Sequence, residues 1–94
     1  MEILHEDNGT KGRFYIKDAE LEVAEMTYTY AGANKIIIDH TQVDESLKGQ
    51  GVGYKLVEES VAFMRANKLK VIPLCPFASA VFKKKVKEYN DVIF

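Results

Sequence analysis

The sequence predicts an α+β fold built on a mixed central sheet. Three observations lead there. Apolar and polar residues alternate through much of the first half, as half-buried strands require, whereas from Val52 onward apolar residues recur at helical spacing. The isoleucine run Ile36-Ile37-Ile38 lies just before that change of period. The resulting order is β-β-β-β-α-β-α with a short final strand, so an antiparallel meander feeds a β-α-β crossover whose two strands are parallel.

Ile3 and Leu4 open the first short strand. Asp7-Asn8-Gly9-Thr10-Lys11-Gly12 is a turn, because Asn and Gly tolerate positive φ. Residues 13–17 are aromatic and β-branched between turn signals and read as a strand. Asp18-Ala19-Glu20 turns the chain into the segment 21–30, whose Thr-Tyr-Thr-Tyr end favours strand. There Leu21, Val23 and Glu25 fall on one side, and Ala24, Met26, Tyr28 and Tyr30 on the other. The alternation changes phase near Ala24-Glu25, the mark of a bulge. Ala31-Gly32-Ala33-Asn34 turns again into the strand 35–43, whose isoleucines predict burial on both faces and a central position.

In the second half Val52, Leu56, Val57, Val61, Phe63 and Met64 form one broad helical stripe ending near Asn67. Residues 71–75 form a short strand in which Pro73 donates no ladder bond, so pairing there is interrupted or one-sided. Pro76 starts a second helix, with Phe77, Ala80, Val81 and Val86 inward and Lys83, Lys84, Lys85 and Lys87 outward. Residues 91–94 make a final short strand.

The 94 residues are expected to form one domain, 1–94, with a thin core. A formal net charge of -1 argues against a general nucleic-acid binder. No apolar run reaches the ~18 residues of a membrane span, and the first residues lack the pattern of a secretory signal. Cys75, the only cysteine, cannot pair internally and fits a reducing cytoplasm. One Cys and two His cannot build a Cys-rich zinc site, so no metal is implied. The oligomeric state stays open, a monomer included.

Between the isoleucine strand and the helix lies Lys48-Gly49-Gln50-Gly51-Val52-Gly53. Glycine adopts conformations other residues avoid and lets a ligand approach the backbone. A helix N-terminus adds unpaired N–H groups and a partial positive charge, which together suit a phosphate. A purely structural helix start is better served by a Ser, Asp or Asn cap. The spacing is not Walker A, and G-x-G-x-x-G fails because its third glycine would fall at Tyr54.

The segment resembles the acetyl-CoA motif Q/R-x-x-G-x-G/A of the GNAT acetyltransferases, with Lys48 at the Q/R position, Gly51 at the first glycine and Gly53 at the second. His40-Thr41-x-Val43 before the turn and Cys75-Pro76-Phe77-Ala78 after the next strand resemble segments shared by small, stand-alone GNAT-like domains. The resemblance implies a minimal GNAT-like fold. It implies that Val43, Lys48, Gly49, Gln50, Gly51, Val52 and Gly53 hold acetyl-CoA, the amides of residues 49–53 taking its pyrophosphate. It implies a splay for the pantetheine between strands 36–43 and 71–75. Lys48 keeps the charge of the usual Arg but loses its fork.

The activity so implied is acetyl-CoA-dependent N-acetylation of an unidentified amine acceptor. Cys75 and His40 are the catalytic candidates, since a Cys–His pair can form a thiolate that accepts an acetyl group. Each also has a plain reading, a buried inert thiol and a hydrogen-bonded core histidine. Tyr89 is a weaker candidate for protonating the leaving thiolate, with core packing as its alternative. Asp39 can orient His40 only if a bulge brings both to one side. Two rival readings stay open: a non-catalytic acetyl-CoA-binding module, self-acetylated on Cys75 or not, and a partner-binding domain whose glycines serve packing alone.

Overall fold

Four strands joined by tight turns run as an antiparallel meander in the computed structural model, which describes residues 2–94. They are β1 (Leu4–Asp7), β2 (Lys11–Asp18), β3 (Leu21–Tyr30) and β4 (Lys35–Val43). A fifth, β5 (Lys70–Pro73), lies beside β4 in parallel, and the sheet order is β1-β2-β3-β4-β5. The helix α1 (Val52–Asn67) makes the crossover from β4 to β5, preceded by a 3-10 turn at Glu45–Leu47; α2 (Pro76–Lys84) and α3 (Val86–Tyr89) follow. The α+β class and mixed sheet are as the sequence predicts.

Local chemistry explains the boundaries. In the β1–β2 turn the Asn8 carboxamide accepts from the amides of Thr10 and Lys11, and the Asp7 carboxylate accepts from that of Gly9. The strands reach further than expected, so this turn shrinks to residues 8–10. Lys68, left-handed at φ 56, closes α1, and the Leu69 amide returns to the Met64 carbonyl at 2.8 Å. Pro76 occupies the first turn of α2, where its missing N–H has no helical acceptor to lose.

The core lies between the helices and one face of the sheet. Phe14, Ile16, Met26, Tyr28, Ile36 and Ile38 meet Leu56, Val57, Val61 and Met64 of α1, with Ala78, Val81 and Phe82 of α2 in the same cluster. Two β-bulges set which residues face it. Ile16 pairs with Ala24 and Lys17 with Glu22, leaving Val23 over, just before the expected site. Thr27 pairs with His40 and Tyr28 with Ile38, leaving Asp39 over. This second bulge switches the phase of β4, so Ile36 and Ile38 face the core in its first half while Thr41 and Val43 take that face in its second.

Several expectations are corrected. Ile37 is only half-buried, because it points to the outer face with Thr29 and Asp39, so β4 is not buried on both faces. β5 stops at Pro73 rather than at residue 75, since proline cannot donate to the ladder. Residues 91–94 form no strand; one parallel bridge, Val71 with Ile93, stands there. In the second helical region Ala80 and Val86 are exposed and Phe82 is buried. The break at Lys85, φ -108 and ψ 31, ends the single helical phase that would have carried Val86 inward.

Candidate functional site

Pro73 is the origin of the site. β4 and β5 pair only from Lys35 with Lys70 to Ile38 with Pro73. Beyond that, the amides of Leu74 and Cys75 both donate to one carbonyl, that of Ile38, at 3.0 Å each. The chain then turns away into α2, while β4 continues to Val43. The two strands therefore diverge, as the resemblance implied, and a cleft of about 590 Å³ lies beside the second half of β4.

The glycine turn closes one end of this cleft. Asp44 shapes the approach by accepting from the Ser46 amide at 2.9 Å and the Ser46 hydroxyl at 2.7 Å. Gly49 and Gly51 then take φ 81 and φ 70, values a side chain disfavours, and a Cβ on either would meet open space. Gly51 caps α1 without any side-chain bond. The amides of Gly49, Gly51, Val52, Gly53 and Tyr54 have no hydrogen-bond acceptor among the described residues. Five unpartnered amides at the positive end of a 16-residue helix thus belong to residues that line one opening. Gly53 differs. Its φ is ordinary, but a Cβ there would stand 2.5 Å from the Phe77 ring, so this glycine admits α2 against α1.

Of the residues implied to hold a cofactor, Val43, Lys48, Gly49, Gly51, Val52 and Gly53 line the cleft. Gln50 does not; its side-chain amide turns back to the Ser46 carbonyl at 3.4 Å. Lys48 pairs with Glu45 at 3.2 Å, both exposed. Thr41, Tyr54 and Phe77 also line the cleft, roles the sequence reading did not give them. Thr41 was open to discovery by its spacing, two residues before Val43 on the same strand face. Tyr54 and Phe77 were not, because they meet only once α2 packs on α1.

The structure does not bring His40 and Cys75 together. Cys75, 5% exposed, donates instead to the Thr41 hydroxyl at 3.3 Å. His40 stands on the outer face, exposed, with Nε2 3.5 Å from the Gln42 side-chain oxygen. The Asp39 bulge causes this, since it carries residue 40 outward and residue 41 inward. It also puts Asp39 on the outer face, but its carboxylate accepts from the hydroxyls of Thr27 and Thr29 rather than orienting the imidazole. Tyr89 is buried against Phe82, ring centroids 5.6 Å apart, and does not line the cleft.

Residues 13–92 match the family model of the GCN5-related N-acetyl-transferases. No curated protein matches the chain. Among solved structures it is similar to a GCN5-like protein from Staphylococcus aureus, 41% identical over 99% of this chain and 87% of that one, with a TM-score of 0.76. A ribosomal-protein-alanine N-acetyltransferase from Brucella melitensis shares the fold at 11% identity and TM-score 0.69, over 83% of this chain and 62% of that one. An IAA acetyltransferase from Bacillus cereus does so at 16% identity and TM-score 0.62, over 79% of this chain and 53% of that one. The chain thus spans most of the staphylococcal protein and little more than half of the other two.

Proposed function

The chain belongs to the GCN5-related N-acetyltransferases, and from that premise we propose that it holds acetyl-CoA in the cleft between β4 and β5 and transfers the acetyl group to an amine. One observation carries the reading. The five free amides at the start of α1 belong to residues lining the cleft that runs beside the second half of β4, past the point where β5 leaves it. Such amides suit a pyrophosphate, because each donates along its own direction and the helix dipole favours the negative charge. The second half of β4 has no β5 partner, so its edge suits the amide groups of pantetheine as a further strand would. The thioester then lies near Thr41 and Cys75.

Transfer needs a neutral amine whose nitrogen lone pair attacks the thioester carbonyl carbon. The carbonyl becomes an oxyanion, then re-forms as the C–S bond breaks, and the departing coenzyme thiolate takes up the proton that the nitrogen gives up. The chain's part is to bind and align the thioester, which by itself lowers the barrier. Cys75 lies against Thr41 at the thioester end and serves this alignment; His40, exposed on the outer face beside Thr41 in sequence, is the candidate for meeting the incoming amine. Among the described residues no helix is long and apolar enough to cross a membrane, and the lone thiol suits the reducing cytoplasm where we place the activity.

The test is an amide NMR titration with acetyl-CoA followed by thiol-release assays over an amine panel. Shifts at residues 49–53 and along 38–43, with turnover, support the enzyme. Shifts without turnover, with or without 42 Da of added mass (the weight of an acetyl group) on Cys75, leave a binding module. No shifts at millimolar ligand sink both.

A further inference from the structure

Past the glycine turn, the rim of the cleft carries two aromatic rings and two cations that the pyrophosphate reading leaves unused. Tyr54 directly follows Gly53 on α1, and Phe77 is the second residue of α2. Their ring centroids are 5.9 Å apart at 77°, an edge-to-face corner. Both rings are partly open, 38% and 36% exposed, and both line the cleft. Gly53 fixes the corner, since any Cβ there would strike Phe77. Over the Tyr54 ring stand the ammonium groups of Lys84 and Lys85, 5.8 Å and 5.5 Å from its centroid. Neither has a carboxylate partner among the described residues, whereas Lys48, Arg13 and Arg65 all do.

We propose that Tyr54, Phe77, Lys84 and Lys85 form a clamp for the nucleotide end of the coenzyme, with the aromatic corner carrying the adenine and the two lysines taking the 3′-phosphate. This rests on the cleft being the coenzyme site. Tyr54 bears the last of the free amides, so its ring stands beside the place a pyrophosphate occupies. A nucleotide joined to that pyrophosphate presents a flat π-surface and, in coenzyme A, a further dianion. The corner offers an apolar wall for the first. The lysines, at the last turn of α2 where carbonyl dipoles favour cations, offer charge for the second. No carboxylate has to be displaced.

Calorimetric titration of coenzyme A and of 3′-dephospho-coenzyme A tests this. The wild-type protein should bind the first about tenfold more tightly, from two partly exposed charge contacts. The double variant Lys84→Gln/Lys85→Gln should bring the ratio near one by weakening coenzyme A alone, with dephospho-coenzyme A binding unchanged as proof of an intact fold. Tyr54→Ala should weaken both ligands alike, and Lys83→Gln, on the same helix, should change neither. Equal wild-type affinities, or a ratio that survives the double variant, overturn the clamp while leaving the cleft reading in place. If neither ligand binds the wild-type protein, the cleft reading fails and takes the clamp with it.

Discussion

Two corners of this molecule are built around glycine for opposite reasons. At the β1–β3 corner Gly12 faces the Tyr28 hydroxyl, and a Cβ there would overlap that oxygen and the Glu6 carbonyl. The tyrosine hydroxyls beside it are all hydrogen-bonded. Tyr28 donates to Asp7 at 2.5 Å and receives His5 Nε2–H at 2.6 Å, while Tyr30 donates to the same Asp7 oxygen at 2.6 Å. The His5 ring stacks on Phe14 at 4.1 Å and meets Phe63 edge-on. At the 48–53 turn, Gly49 and Gly51 border open space and their amides have no partner. A closed network supports the fold, and an unfinished one is available to a ligand. Glycine in the sequence marks both, and only its surroundings tell them apart.

The largest effect separating the two corners is expected from Gly12→Ala. Its methyl has to displace a hydroxyl held by two hydrogen bonds. The loss should be about 1–3 kcal/mol, with melting roughly 4–8 °C lower for each kcal/mol in a chain this size. Thermal denaturation followed by circular dichroism measures it. Coenzyme affinity well below the melting range should be unchanged; a variant that melts like wild type refutes the crowding argument.

Gly51→Ala should do the reverse. Holding alanine at φ 70 costs about 1–2 kcal/mol, so the loss of stability is smaller. Acetyl-CoA affinity should nevertheless fall at least about tenfold, because any relaxation of the turn moves its amides. An alanine variant that binds normally would detach the turn from the ligand.

A third expectation concerns acid. Burial holds the His5 imidazole below its ordinary value of 6.5, against the pull of Asp7 and Glu59. Burial raises the Asp7 carboxyl, but hydrogen bonds from Tyr28, Tyr30 and the Gly9 amide outweigh this and hold it below 3.8. Between each depressed value and the ordinary one, the unfolded chain binds the proton and the folded chain does not. The stability each group contributes is therefore full above its ordinary value and is lost as pH falls below it, first for His5 and then for Asp7. Melting temperatures should decline below pH 6.5 in wild type, and His5→Asn should flatten that first step. A wild-type profile that is flat from pH 7 to 5 would count against the network.

The smallest effect should come from Thr41→Val, which removes the acceptor of the Cys75 thiol. A thiol is a weak donor, so stability should change by less than about 1 kcal/mol. The Cys75 environment, read by thiol labelling in the presence and absence of acetyl-CoA, should change more than the melting temperature does.

Much of the frame was legible in the sequence. The bounds of β4 and α1 follow from the isoleucine run, the glycine turn and a clean helical stripe, and Pro73 announced the break that opens the cleft. The phase of β4 beyond Ile38 was not legible. It depends on Asp39 being left over opposite β3, a matter of pairing between strands, and it decides that Thr41 rather than His40 meets Cys75. The sequence likewise could not assign the three glycines of the turn separately, because Gly53 answers to a ring on another helix.

The pairing of β4 with β5 also bears on the order of events in folding. Strands β1 to β4 close through neighbouring turns, whereas Lys35 must find Lys70 across the whole of α1. Contacts that distant in the chain form late, since the intervening loop must first be closed. The cleft exists only after that last closure, so a bound coenzyme should slow the first step of unfolding and leave the refolding rate of the meander unchanged. Stopped-flow measurements with and without acetyl-CoA would show this as a displaced unfolding arm beside an unmoved refolding arm.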